Sequence, residues 1–457
     1  MSTQFKAVDR ETIYLFPPPV QDWLPERHLA RFVVDVVSKL DLHELKMPYT
    51  GVGSEAFNPE MLLALLFYGY ATGVFSSRKL EQASYDSIAF RYIAANTHPD
   101  HDTIANFRQR FLEQLKPLFL QILLLAKALG FWQLGKISLD GTKIQANASK
   151  QSALSWGHAI ELEQQLQREV ARLMVLAEAA DVEAPEGMDI PAELARWEER
   201  LQAIADAKAK LETRAAERHR AEQVEYEAKQ AKRAAKAPGQ PPKGPEPKGP
   251  EPGVRDREQI NLTDEESRIM PTSGKSFQQA YNVQAGVEND SLLIVTEHVT
   301  QNANDKQEVQ PTLKALEELA KPLGKAEALL ADNGYYSEGN VKACHEEAIA
   351  PFIAAGRERH HLPLEQRWAD PPPLAPEADA VEAMKHWLAT PEGRALYGRR
   401  KCTVEPVFGI IKSVLGFRQF HLRGLKGATG EWTLVSIAWN LKRMFTLKQQ
   451  KLQAQWA

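Results

Sequence analysis

Three carboxylates stand in local sequences suited to chemistry on phosphates: Asp140 in KISLDGTKI, Asp332 in EALLADNGYYSEGN and Glu405 in YGRRKCTVEPVFGIIK. Both aspartates follow apolar, strand-like runs and precede Gly141 or Asn333-Gly334, which is where an α/β sheet presents ligand-binding groups at its strand ends. Asp also favours such turns for its own local hydrogen bonds, and either residue alone fits that role. Taken with Glu405, the pair suits hard divalent cations, which prefer oxygen ligands and keep positions for water and phosphate oxygens. A pair of Mg2+ (or Mn2+) ions is the expected cofactor.

Glu405 precedes Pro406, which a helix accepts in its first turn, where the missing amide hydrogen has no partner to serve, so a helix is expected to start near Thr403. Phe408, Ile411 and Leu415 form its apolar face. Lys412 lies two turns beyond Glu405 on nearly the same side, where it meets a passing phosphate or forms a plain surface pair. Between Tyr397 and Lys426 the basic residues Arg399, Arg400, Lys401, Lys412, Arg418, Arg423 and Lys426 face one acid, Glu405. That local field suits DNA phosphates, although the formal net charge of −4 gives no global pull on nucleic acid.

These residues need a scaffold, and the chain's 457 residues are enough for more than one domain. Residues 1–130 carry apolar residues at three and four spacing and read as an all-helical domain. Within it, DTIANFRQRF begins with Asp102 as a helix cap and offers Asn106, Arg108, Gln109 and Arg110 to DNA; a solvated helix face accounts for the same residues. Residues 131–150 and 258–450 read as a mixed α/β domain. A strand in LGKISLDGTKI and a hairpin in FQQAYNVQAGVE and SLLIVTEHVT precede alternating helices and strands through DKQEVQPTLKALEELAKPL, EALLADNG, SEGNVKACHEEA and IAPFIAA. Residues 151–257 interrupt it. Leu162, Leu166, Val170 and Leu173 make one helical stripe and Leu194, Trp197, Leu201, Ile204 and Leu211 another, so a coiled-coil-like hairpin is expected, ending in the Pro and Gly rich linker APGQPPKGPEPKGPEPG.

Other motifs have simpler readings. His98 and His101 in HPDHD mark a polar turn between helices, His360 and His361 a surface loop, and Trp432, Val435 and Trp439 one buried helix face. Cys344 and Cys402 imply no disulfide framework and suit a reducing cytoplasm, and no apolar run is long and uncharged enough for a signal or a membrane span.

With these motifs in place, the chain resembles the DDE transposases of bacterial insertion sequences, along most of its length. The resemblance rests on an InsH-like helical domain with DTIANFRQRF, on SLDGTKIQANASK, on AYNVQAGVE followed by NANDK, on ADNGYYS, on YGRRKCTVEPVFGIIK and on RGLKGATGEWTLVSIAWNLKRM. It implies a ribonuclease H-like catalytic core with Asp140, Asp332 and Glu405 as the metal-binding triad. It also implies DNA cleavage and strand transfer at terminal inverted repeats, and a homodimer that cuts two ends in concert. Action at the bacterial nucleoid is implied too, with Tyr397 and the basic cluster against DNA. An inactive DNA-binding descendant and a nuclease that cuts without joining share these features. Many relatives space Tyr, Arg, Glu and Lys by two, three and six residues. Here four residues separate Arg400 from Glu405, so either Lys401 fills the basic slot or the approach to the helix is one residue longer.

Overall fold

The computed structural model describes residues 20–49, 56–179, 190–236, 248–272, 276–356 and 371–455. His360, His361 and residues 237–247 of the linker lie outside them.

The alternation expected around Asp140 produces a longer strand than the apolar run alone suggests. β1 (Lys136–Gln145) buries Ile137, Leu139 and Ile144 and continues through Asp140, which lies mid-strand and not at the strand's end. Two short strands, β2 (Ala153–Ser155) and β3 (Gln259–Asn261), pair as a ribbon at the base of the insertion. The sheet continues with β4 (Arg268–Pro271), β5 (Phe277–Glu288), β6 (Ile294–Thr300), β7 (Ala328–Ala331) and β8 (Ala350–Ile353). β5 runs antiparallel to β1, while β4 and β6 share its far edge; on the other side β1, β7 and β8 are parallel. An antiparallel hairpin feeding a parallel crossover is the mixed sheet of a ribonuclease H-like core. Helices Val309–Leu323 and Glu338–Glu346 make the crossovers.

The last helix, Gly424–Ala454, joins this sheet to the N-terminal helices. It packs on β6 and on helices Pro59–Thr72 and Leu115–Ala128, so one apolar cluster runs from Leu24 to Met444. Trp432, Val435 and Trp439 sit in that core, and the two indoles donate to Gln284 O and Leu292 O. Helix His101–Arg110 is capped by Asp100, whose Oδ1 accepts from Thr103 N at 2.8 Å; Asp102, expected as the cap, lies in the first turn. His101 bonds Glu81 and His98 stacks on Tyr85, so both histidines serve helix packing.

In the insertion, helices Trp156–Ala179 and Ile190–Lys236 pack through Leu162, Leu166, Trp197, Leu201, Ile204 and Leu211. The second helix outruns its apolar stripe. Beyond Leu211 polar contacts hold it to the base of the insertion: Arg214 donates to Glu265 O, Arg218 to Gly253 O, and Glu222 pairs with Arg255.

Candidate active site

Period-two alternation puts Ser138, Asp140 and Thr142 on one face of β1. The segment from Arg400 to Lys412 docks on that face residue by residue. Thr403 Oγ1 donates to Ser138 Oγ at 2.9 Å, Arg400 Nη1 to Asp140 Oδ2 at 3.3 Å, and Lys412 Nζ to Thr142 Oγ1 at 2.9 Å. Thr403 stands at the N-cap of helix Val404–Gly409, whose first turn holds Glu405 and Pro406, and a π-helical turn, Ile410–Val414, carries Lys412. Burial of Val404, Val407, Phe408 and Ile411 anchors the segment. Arg400 Nη2 also donates to Glu405 Oε1 at 3.1 Å, so one guanidinium bridges Asp140 and Glu405.

The parallel pairing supplies the remaining acid. Ser138 stands opposite Leu330, and two further residues on each strand bring Asp140 level with Asp332 just past the end of β7. Asp332 Oδ1 caps the following turn, accepting from Gly334 N at 2.8 Å. The turn-capping role and the site position therefore coexist in one side chain.

Burial pushes the Asp140 carboxyl up to about 6; the Gly141 N–H and Arg400 oppose the rise, while Asp332 and Asp305 add to it. Burial works against the charge of Arg400 too, but Asp140, Tyr397, Asp332 and Glu405 outweigh it and hold the guanidinium above its ordinary range. Lys412 is lowered, by burial first and by Arg418 second. Among the described residues no three His, Cys, Asp or Glu side chains already stand together as a cage for one ion. The donor set fits a hard divalent cation nonetheless: every acid at the site is a carboxylate, and buried Asp140 lacks enough positive charge to ionise at its usual pH. Arg400 supplies the only cation that touches both Asp140 and Glu405 among the described residues.

Apart from Arg400, the basic cluster lies at the surface, with most of its members in intramolecular contacts. Arg399 pairs with Asp290, Arg418 Nε donates to Lys412 O, Arg423 Nε to Asn147 O, and Lys426 pairs with Glu113; Lys401 is exposed. Tyr397 packs with Leu388 and Leu396 against Ala328, Leu330 and Phe352 beneath β7 and β8. Arg110 is exposed, its guanidinium over the rings of Tyr49 and Phe111.

Arg108 corrects the sequence reading. It is 7% exposed and donates to Tyr70 OH at 2.9 Å and Phe75 O at 3.0 Å, so its guanidinium is turned into the protein and away from any duplex. The reason is helical periodicity: Ile104, Phe107 and Arg108 share the buried face. Sequence reasoning missed Asp305 with its partners Lys143, Asn282 and Gln284, and Tyr335 behind them.

Two family models match the chain. Residues 18–110 match one described as Transposase domain (DUF772), and residues 248–441 one described as Transposase DDE domain. The second span holds Asp332, Arg400, Glu405 and Lys412, while Asp140 lies between the two, ahead of the insertion. Searches of curated proteins and of solved structures gave no significant match.

Proposed function

We propose that this chain, which belongs to the DDE transposases of insertion-sequence type, cuts DNA at the inverted-repeat ends of its element and joins those ends to target DNA. The observation that carries the proposal is the docking of residues 400–412 on the Ser138, Asp140, Thr142 face, which brings Glu405 to Asp140 while strand register brings Asp332 level with it. Divalent cations held by Asp140, Asp332 and Glu405 would supply Lewis acidity at the phosphate and activate the attacking oxygen. In the first step water attacks phosphorus in line and the P–O bond to the 3′ oxygen breaks, leaving a 3′-hydroxyl. In the second that hydroxyl loses its proton, its oxygen bonds to a target phosphorus, and one target P–O bond breaks in exchange. No covalent link to the protein is required.

The chain's own side chains position the DNA. Lys412, held by Thr142 two residues along the strand from Asp140, sits where it meets a phosphate next to the scissile one. Arg400 bridges Asp140 and Glu405 in the free protein, and its guanidinium would be released to the DNA backbone where cations are bound by those acids. Exposed Lys401 and Arg110, with Arg399, extend the contact, Tyr397 braces the approach, and two copies of the chain act on the two ends.

A duplex carrying the inverted repeats that flank the gene, incubated with the protein, Mg2+ and a target plasmid, tests this. Labelled ends should be freed and joined to the target, and Asp332→Ala should abolish both steps while gel-shift binding stays nearly intact. Cleavage without joining would make the protein a nuclease. Binding without either step would make it a regulator.

A further inference from the structure

Asp305 lies between β6 and helix Val309–Leu323 and reaches β1 at Gly141 and Lys143. The register pairs Gly141 with Gln284 and Lys143 with Asn282, and all three of those side chains reach one oxygen of Asp305. Oδ1 accepts from Asn282 Nδ2 at 2.7 Å, Gln284 Nε2 at 2.8 Å and Lys143 Nζ at 3.3 Å. Tyr335 OH donates to Gln284 Oε1, which fixes the amide so that its nitrogen points at Asp305. Gly141 makes room for this arrangement, since a Cβ there would fall 2.1 Å from Gln284 Nε2 and 2.9 Å from Asp305 Oδ1.

The second oxygen is different. Among the described residues Asp305 Oδ2 takes no hydrogen bond, and it is turned toward the Asp332 loop. A Cβ at Gly334 would lie 3.8 Å from it and 2.9 Å from Asp332 Oδ1, so both carboxylates flank one small space. An acid serving only to anchor Lys143 would have no reason to fix one oxygen with three donors and leave the other turned toward Asp332. Nearby like charges are costly unless a cation joins them.

We infer that Asp305 is a fourth carboxylate of the cation site, its Oδ2 a ligand on the Asp332 side. The inference rests on the cation-dependent reading proposed above, and it adds a residue outside the expected triad.

The test uses the full-length protein without DNA, with Mn2+ binding measured by titration calorimetry and Eu3+ luminescence lifetimes in H2O and D2O counting bound waters. Asp305→Asn should melt like the wild type in chelator, bind Mn2+ roughly tenfold or more weakly, and add about one water to bound Eu3+, because a lost ligand is replaced by solvent. Asp332→Asn should weaken Mn2+ at least as much. If Asp332→Asn weakens binding while Asp305→Asn leaves affinity and water count unchanged, Asp305 is a structural anion and the inference falls alone. If neither variant changes Mn2+ affinity, the cation-dependent reading falls and takes the inference with it. Should Asp305→Asn fail to fold, Asp305→Glu decides, since it keeps the charge and displaces the oxygen by one methylene: an affinity change beyond about threefold supports ligation, and none overturns it.

Discussion

Asp140→Asn keeps the side chain's shape and removes its charge, which makes it a direct probe of how the site is balanced without a cation. Burial is the main force lifting the Asp140 carboxyl from 3.8 to about 6, with the Gly141 N–H and Arg400 pulling it down and Asp332 and Asp305 adding to the rise. At about 1.4 kcal/mol per unit, ionising Asp140 costs the metal-free fold about 3 kcal/mol. The folded state binds this proton more tightly than the unfolded state. The associated stability is therefore fully present below about pH 4 and lost as pH rises through about 6. Asparagine has no such proton to lose. In chelator at pH 8 the variant should be more stable than the wild type by about 3 kcal/mol, a rise in melting temperature of roughly 3 °C for a chain of this size, and near pH 4 the two should coincide. Saturating Mn2+ should narrow the gap, because a ligand at a hundred times its dissociation constant stabilises the wild type by about 2.7 kcal/mol. Thermal unfolding followed by tryptophan fluorescence from pH 4 to 8, with and without Mn2+, provides the measurement. A difference that is the same at both pH extremes, or a variant that melts lower at pH 8, would refute the view that Asp140 is held ionised against its surroundings.

Two further outcomes follow from the geometry. Glu431 is fully buried and accepts from Tyr70 OH, the backbone N–H groups of His421 and Leu422, and the His421 ring, so Glu431→Ala should cost about 3 to 5 kcal/mol in urea unfolding; a loss under about 1 kcal/mol would show that this junction carries little. Arg108→Ala should lower stability and leave the ratio of specific to random DNA binding unchanged, whereas neutral replacement of Lys401, Lys412 or Arg110 should flatten the salt dependence of binding by about 0.9 per lost phosphate contact; an unchanged slope in all three would remove them from the DNA surface.

The sequence disclosed what local pattern can carry. Strand alternation exposed β1, the hairpin strands revealed β5 and β6, and Pro406 inside a basic run pointed to a helix starting at Thr403, where the N-cap is found. The levelling of Asp140 with Asp332 was not legible, because it depends on parallel pairing between segments separated by the insertion, and no local pattern encodes that register. Asp305 was hidden for a related reason. QNANDK reads as a polar turn, and only the pairing of β1 with β5 reveals that Lys143, Asn282 and Gln284 converge on it; buried polar residues within β5 were the available hint. Arg108 was legible but misread, since its spacing from Ile104 and Phe107 already assigned it to the apolar face, against the appeal of a basic helix near DNA.

The spacing between Arg400 and Glu405 shows how backbone geometry settles what a motif leaves open. Residues Arg399–Cys402 form a 3-10 turn, which advances the chain with fewer residues per turn than an α-helix, and Thr403 breaks from helical angles before the helix begins. Arg400 is buried and reaches both Asp140 and Glu405, while Lys401 points to solvent, so it is Arg400 that meets the acids, over a longer approach. A guanidinium suits that place better than an ammonium, because its separate nitrogens serve two carboxylates at once.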